Sequence, residues 1–366
     1  MRERSLRPVW TKPDEDTSEM AKTMKDAPVA VSIVIPCRDE RDHIESCLRS
    51  ILAQVPPPGG FEIIVADGMS GDGTREILKR LAEEDPRLRV IDNPGRIVST
   101  GLNAAIRAAQ GQIIIRMDVH TDYASDYICQ CLAVLEETGA DNVGGPWVAK
   151  AEGLVGRAIA RAFQSPFSVG GPHGHNASYE GTLDTVYLGC WQREIFDRIG
   201  PFDEELVRNQ DDEFNLRLRR AGGKIWQSPR IRSWYRPRES LRALFRQYMQ
   251  YGYWKVRVIQ KHRMPTSVRH FIPGSFVCFL TVLPLISLVW HPAVWGWLGL
   301  LGMYSMCSIT TSFLIAARTE WKLFPILPLV FACYHLAYGY GFLRGLWDFV
   351  ILRRGAYRTY TELTRA

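Results

Sequence analysis

The sequence predicts an α/β fold, a domain built on a mostly parallel sheet, followed by C-terminal transmembrane helices. Three observations predict it. Short apolar runs alternate with segments of helical period across residues 31–118, the pattern of strands joined by crossover helices. Polar residues gather at the carboxyl ends of those runs, where open parallel sheets bind their ligands. Residues 271–317 contain no Asp, Glu, Lys or Arg.

The elements follow in order. Residues 31–36 (VSIVIP) form a buried strand, and 40–54 carry Ile44, Cys47, Leu48, Ile51 and Leu52 at helical spacing. A Pro- and Gly-rich loop at 56–60 leads to a second strand at 61–67 (FEIIVAD). A helix at 73–84, a strand at 87–91, an Ala-rich helix at 98–110 and a strand at 112–118 complete the alternation. The strand ends bring Pro36-Cys37-Arg38, Asp67-Gly68 and Asp118-Val119-His120 to one rim. Beyond Asp141 the pattern loosens, with Gly and Pro clusters at 144–146 and 170–175; the latter holds His173 and His175, incidental histidines of a mobile loop. Residues 191–199 read as a helix closed by Gly200-Pro201, and 211–220 as a helix stopped by Gly222-Gly223. Residues 239–262 are amphipathic and rich in Arg, Tyr and Trp, suited to a membrane interface.

A helical span needs about 20 apolar residues. The uncharged run holds two, 272–290 and 293–317, broken at His291-Pro292, and a second uncharged run, 323–343, holds a third. The expected organisation is a flexible arm (1–28), a catalytic domain (29–238), an interfacial segment (239–270), membrane helices (271–347) and a basic tail (348–366). Three spans put the tail opposite the catalytic domain, whereas Arg344, Arg353, Arg354 and Arg358 favour the same side. Residues 1–28 lack an apolar secretory core. The catalytic domain is therefore expected in the cytoplasm, attached to the inner membrane. The eight cysteines include no Cys-x-x-Cys pair, which suits reduced, packed thiols. The net charge of +6 is concentrated in 208–269, directly before the first span; basic residues there favour the anionic cytoplasmic leaflet. No nucleic-acid motif accompanies them, so no nucleic-acid partner is expected.

Two aspartate motifs carry the chemistry. Asp118 and His120 stand two residues apart at a strand end, on one face if the backbone is extended. Hard oxygen with nitrogen suits a divalent cation, Mn²⁺ or Mg²⁺, that neutralises a diphosphate. Asp211, Asp212 and Glu213 open a helix. Dipole matching explains acids at a helix start; crowding of carboxylates also raises a pKa, as a general base requires. Arg217 can hold Glu213 at i,i+4. Asp67, at a strand end, is placed to accept from a base or ribose; Asp72 or Thr74 caps the next helix.

The chain resembles family 2 glycosyltransferases of the GT-A fold. The resemblance covers residues 30–255 and rests on Val31-Ser32-Ile33-Val34-Ile35-Pro36-Cys37-Arg38-Asp39-Glu40, on Asp67-Gly68-Met69-Ser70-Gly71-Asp72-Gly73-Thr74, on the helix from Gly101 to Gly111, and on the segment from Cys190 to Glu204. His120 stands where the family usually has Asp, and Gln210-Asp211 where it usually has Glu-Asp. The Gln-x-x-Arg-Trp signature of processive synthases is absent, which implies addition of single sugars. Within the family the chain is most similar to succinoglycan-type exopolysaccharide glucosyltransferases.

The resemblance implies an inverting, metal-dependent transfer from a UDP-hexose, with glucose the expected sugar. Asp211 is the implied base and Asp212 the fallback. Asp118 and His120 are the implied cation ligands. Pro36, Arg38, Glu40, Asp67, Arg96, Asn103, Met117 and Asp118 would hold the donor. Gly189, Cys190, Trp191 and Gln210 would face the acceptor, a lipid-linked saccharide. The alternatives are a polyprenyl-phosphate sugar synthase and a non-catalytic membrane transport or scaffold subunit; a nucleotidyltransferase is disfavoured by the lack of a Gly-rich basic first loop.

Overall fold

A computed structural model of the chain describes residues 29–169, 174, 176–263, 267–356 and 358–361. The expected N-terminal arm, His173 and His175 lie outside them.

The sheet is built first by apolar runs. β1 (Val31–Cys37) and β2 (Phe61–Asp67) are buried almost throughout, as strands covered on both faces must be. Between them runs α1 (Ile44–Leu52), which buries Ile44, Cys47, Leu48 and Ile51. α2 (Thr74–Glu84) leads to β3 (Leu88–Asp92), and α3 (Val98–Ala108) to β4 (Ile113–Arg116). β1, β2, β3 and β4 are mutually parallel where they pair. After β4 a turn at 119–120 leads into β5 (Thr121–Tyr123). The Asp-Val-His backbone is therefore turned, not extended as the spacing argument assumed.

The second half is more broken. α4 (Tyr127–Thr138), β6 (Asn142–Gly145), β7 (Val148–Ala149), α5 (Leu154–Phe163) and α6 (Pro166–Val169) precede β8 (Gly181–Thr182) and β9 (Tyr187–Gln192). β9 lies antiparallel between β4 and β6, pairing Trp191 with Ile114 on one side and Asn142 on the other. The helix expected at 191–199 is thus α7 (Glu194–Ile199) alone; Trp191 and Gln192 belong to a central strand. α8 (Gln210–Arg220), β10 (Ile225–Gln227) and β11 (Ser233–Tyr235) follow. The main sheet runs β3-β2-β1-β4-β9-β6-β10-β8, and β5-β11-β7 form a small second sheet. Its β11 end secures the turn, since Arg236 N–H donates to the His120 carbonyl at 3.0 Å.

α9 (Leu241–His262) begins where the Ser240 hydroxyl accepts from Ala243 N–H, a conventional N-cap. α10 (Ile272–Ser287), α11 (Ala293–Arg318), α12 (Leu327–Gly345) and the short α13 (Arg358–Thr361) complete the chain. Two helical stretches, Val268–Ser287 (20 residues) and Ala293–Arg318 (26 residues), are long and apolar enough to cross a membrane by length and composition. Their connection carries Leu288, Val289 and Trp290 outward, Val289 at 93% exposure, and Trp295 follows at 74%. An apolar surface of this kind on a protein marks a lipid or partner contact.

The third expected span behaves differently. α12 packs against α9, and the two share cores with the α/β domain: Phe331 and Tyr334 lie in one cluster with Ile159 and Leu244, and Phe342 lies in another with Tyr253 and Leu216. Contact is backbone to backbone. A Cβ on Gly341 would lie 1.9 Å from the Met249 carbonyl, and one on Gly252 2.1 Å from that of Tyr338. Small residues spaced by four let helices approach this closely. Gly341→Ala is expected to lose about 1–3 kcal/mol by overpacking, read as a lower Tm of the purified protein. Gly302→Ala on α11, where a Cβ meets nothing within 4 Å, is the control and should not lower Tm, since alanine is the better helix former.

Candidate active site

The carboxyl ends of β1 and β4, the strained end of β9 and the start of α8 surround one cavity of about 1050 Å³. Asp118 and Asp211 both line it. A buried arginine links them. Arg116 donates from Nε and Nη2 to the two Asp118 carboxylate oxygens, each at 3.0 Å. Burial opposes its charge, but Asp118 and then Asp211 outweigh that, and the guanidinium is held more firmly protonated than usual. The Asp118 backbone is fixed by Tyr123, whose hydroxyl accepts from Asp118 N–H at 2.7 Å and donates to its carbonyl at 3.1 Å.

Asp211 and Asp212 are split by their neighbours. Burial and the Asp212 carboxylate push the Asp211 carboxyl up, against the pull of Arg116 and Lys255. For Asp212 burial also acts upward, but Lys255, His270 and Arg269 outweigh it and hold that carboxyl below the ordinary range. Lys255, on α9 and only 2% exposed, donates to the Asp212 carboxylate. The result is one proton-accepting carboxylate beside one that stays charged. Glu213 is committed elsewhere, accepting from Arg217 at 2.8 and 3.0 Å and standing 2.9 Å from His262 Nε2.

The backbone is strained where it borders the cavity. Leu188 and Asn209 have φ of 63° and 62°, left-handed values that cost a non-glycine residue about 1–3 kcal/mol. Asn209 thereby turns the chain into α8, with its Nδ2 donating to the Tyr251 carbonyl at 2.9 Å.

Of the residues named from sequence, Pro36, Arg38, Glu40, Arg96, Asp118, His120, Gln210, Asp211 and Asp212 line the cavity. Others do not. Asp67 is fully buried and binds Ser70 and Arg75, accepting from Ser70 Oγ at 2.5 Å and Arg75 Nη1 at 3.0 Å. Asp72 accepts from Thr74 N–H at 3.0 Å, as a cap does. Asn103 ties α3 to the Phe202 backbone at 2.8 and 2.9 Å. Met117 is fully buried in the core. Cys190 and Trp191 are core residues on either face of β9, and a Cβ on Gly189 would strike the Trp191 ring at 2.3 Å. That glycine serves packing; the cavity wall is made by Tyr187 and Leu188 instead. Arg116, Lys255 and Arg269 were not singled out from sequence. The signal for Arg116 was available: an arginine inside an apolar strand requires a buried acid.

The cation ligands need a separate test. Among the described residues no three His, Cys, Asp or Glu side chains gather as a cation cage. His120 Nε2 lies 2.7 Å from Glu40 Oε1, and both Asp118 oxygens face Arg116. A Mg²⁺-like ion, however, is commonly held by one or two carboxylates plus substrate phosphates. Asp118 keeps 31% of its side chain exposed, and His120 lines the same cavity. Asp118 and His120 thus offer one oxygen and one nitrogen to a common cavity, a pair that fits a divalent cation whose remaining ligands come from elsewhere.

Comparison with known proteins gives the family and the fold. The glycosyl transferase family 2 model matches residues 32–200. Succinoglycan biosynthesis protein ExoA of Rhizobium meliloti (strain 1021) is 32% identical over 321 residues, 87% of this chain and 95% of that protein. A dolichyl N-acetyl-alpha-D-glucosaminyl phosphate 3-beta-D-2,3-diacetamido-2,3-dideoxy-beta-D-glucuronosyltransferase of Methanococcus voltae is 25% identical over 86% of this chain and 97% of that one. The fold is shared with the mannosyltransferase PcManGT from Pyrobaculum calidifontis, solved in complex with GDP-Man and Mn²⁺, at TM-score 0.55 and 20% identity over 91% of this chain and 94% of that one. The family model, together with relatedness to ExoA over most of both chains, makes this protein a glycosyltransferase and a member of glycosyltransferase family 2.

Proposed function

We propose that this glycosyltransferase moves a hexose, with glucose the first choice, from a UDP-sugar to a hydroxyl of a lipid-linked saccharide, with inversion, in exopolysaccharide synthesis at the inner membrane. One observation carries the reading: Asp118 and Asp211 line the same cavity, joined through Arg116. Asp211 accepts the proton of the acceptor hydroxyl. That oxygen bonds to the anomeric carbon from the face opposite the diphosphate, while the bond to the diphosphate breaks and UDP departs with its electron pair. Arg38 and Arg96, which line the β1 side of the cavity, supply positive charge for the diphosphate. A divalent cation on Asp118 and His120 would neutralise charge on the departing diphosphate. The volume exceeds the roughly 300–1,000 Å³ of ordinary ligand pockets, room for a donor and part of an acceptor.

The names of the two relatives support the acceptor class, one by succinoglycan synthesis and the other by a dolichyl-linked sugar phosphate. α10 and α11 make a multi-pass attachment of two spans, with the catalytic layer and the arginines after α12 on the cytoplasmic side. A screen of radiolabelled UDP-sugars with membrane lipid acceptors tests the assignment: a new glycosidic bond on a lipid-linked saccharide is expected, and a product in which sugar joins lipid phosphate directly would favour a polyprenyl-phosphate sugar synthase.

The shared-ion site has its own test. Mn²⁺ binding followed by electron paramagnetic resonance is expected to be weak for the protein alone and to tighten at least about tenfold when UDP is added. Asp118→Ala should remove the UDP-dependent part. Equal Mn²⁺ affinity with and without UDP would contradict a diphosphate-shared ion.

A further inference from the structure

The cavity does not end at the catalytic carboxylates. Its lining also takes in Lys255 and Arg269 and an aromatic arm of Phe167, Phe276, Tyr304 and Tyr338, from α6, α10, α11 and α12. Polar groups along the arm are turned on each other. The Tyr304 hydroxyl lies 3.0 Å from His335 Nδ1, and His335 Nε2 lies 2.8 Å from the Phe167 carbonyl. Phe276 stacks on Tyr304 at 4.7 Å between ring centroids. What the arm offers a ligand is therefore mostly aromatic surface. Its walls include both helices that are apolar enough to cross a membrane. Two cations of the lining are close to the base: Lys255 grips Asp212, the residue after Asp211, and Arg269 is near enough to act on the same carboxylate.

Read from the sheet outward, the order is carboxylate, cation, aromatic wall. An amphiphile with a sugar hydroxyl, a phosphate and an apolar chain matches that order; a free sugar, a free phosphate or a plain hydrocarbon matches only one part of it. We infer that this arm is the acceptor's lipid site, with the acceptor's phosphate at Lys255 and Arg269 and its apolar chain between α10, α11 and α12. This rests on the transfer to a lipid-linked acceptor proposed above and adds where the lipid part is held. It also gives α10 and α11 a role beyond attachment, since they wall the site.

Full-length protein in nanodiscs, labelled with a farnesyl diphosphate that carries a photoreactive diazirine on its last isoprene unit, tests the inference. Mass spectrometry should find the label on Phe276, Tyr304 or their neighbours. Unlabelled farnesyl diphosphate should suppress it at concentrations at least tenfold lower than either farnesol or inorganic diphosphate. Arg269→Gln should raise the farnesyl diphosphate needed at least tenfold and leave competition by farnesol unmoved. If that variant does not fold, Phe276→Trp, which fills the arm, should lower labelling instead. Label confined to the outward residues Leu285, Val289 and Trp295 would overturn the site, as would farnesol or inorganic diphosphate competing as well as the conjugate. Absent labelling in a protein that still releases UDP from a UDP-sugar refutes the lipid site alone. Absent labelling with no UDP release from any UDP-sugar refutes the transferase reading with it.

Discussion

Asp211→Asn slows sugar transfer by about 10²–10⁴-fold, the acceleration a positioned general base supplies, while UDP-sugar binding persists. The expectation follows from the split between the paired acids. Asp211 is raised by burial and by Asp212, so it is the carboxylate with the stronger pull on a proton. Asp212 is lowered, held charged by Lys255, and is the poorer base. The pH profile carries the sign. A base works when deprotonated, so activity falls as pH drops through its pKa. Because that pKa is raised, the acid limb lies above the roughly 3.9 of an ordinary aspartate. Asp211→Asn should abolish this limb together with turnover. Wild-type rates in the variant, measured by UDP release and by product formation, would remove Asp211 from the reaction.

Lys255→Met destabilises the fold by about 3 kcal/mol, the low end for breaking a buried ion pair, since Asp212 keeps some contact with solvent at 31% exposure. The cost comes from the carboxylate left without its cation. Adding Asp212→Asn should recover much of the loss, because a neutral amide needs no cation there, and the non-additivity would report the pairing itself. Denaturant unfolding of the detergent-solubilised protein gives both numbers. A single-variant loss under about 1 kcal/mol would show that this ion pair contributes little. The single variant should also flatten the pH profile, as an Asp212 no longer held charged competes with Asp211 for the proton.

The first four strands were legible because each is an apolar run with a turn signal on both sides, and the parallel pairing of β1 with β2 and β4 follows from the intervening helices. Trp191 was read into a helix because a fully buried strand such as β9 shows no alternation, and the residues directly after it are helical. β7 and β8 have two residues each, too few to show a period of any kind. The site was legible where a charged residue sits at a strand end or helix start, as with Asp118 and Asp211. It was not legible where tertiary contact makes the chemistry. Lys255 lies in an amphipathic stretch whose sequence suits a membrane surface, and only the fold reveals that Tyr253, Trp254, Lys255 and Val256 are all buried, the helix being covered on nearly every side at that turn. For the third apolar run, composition records that α12 is apolar and not that it packs against α9.

Lys255 makes the start of the C-terminal apolar helices a poor place to cut. The helix that carries it is clamped along α12 at the Gly252 and Gly341 crossing, and it reaches the acid next to the proposed base. A fragment stopping at residue 267 would retain every motif that a sequence search recognises, yet it would strip the cover from Tyr253 and Trp254 and leave the lysine's support unbraced. The paired acids of the cavity thus depend on the assembled whole, and any change in how those helices seat would be felt at Asp212.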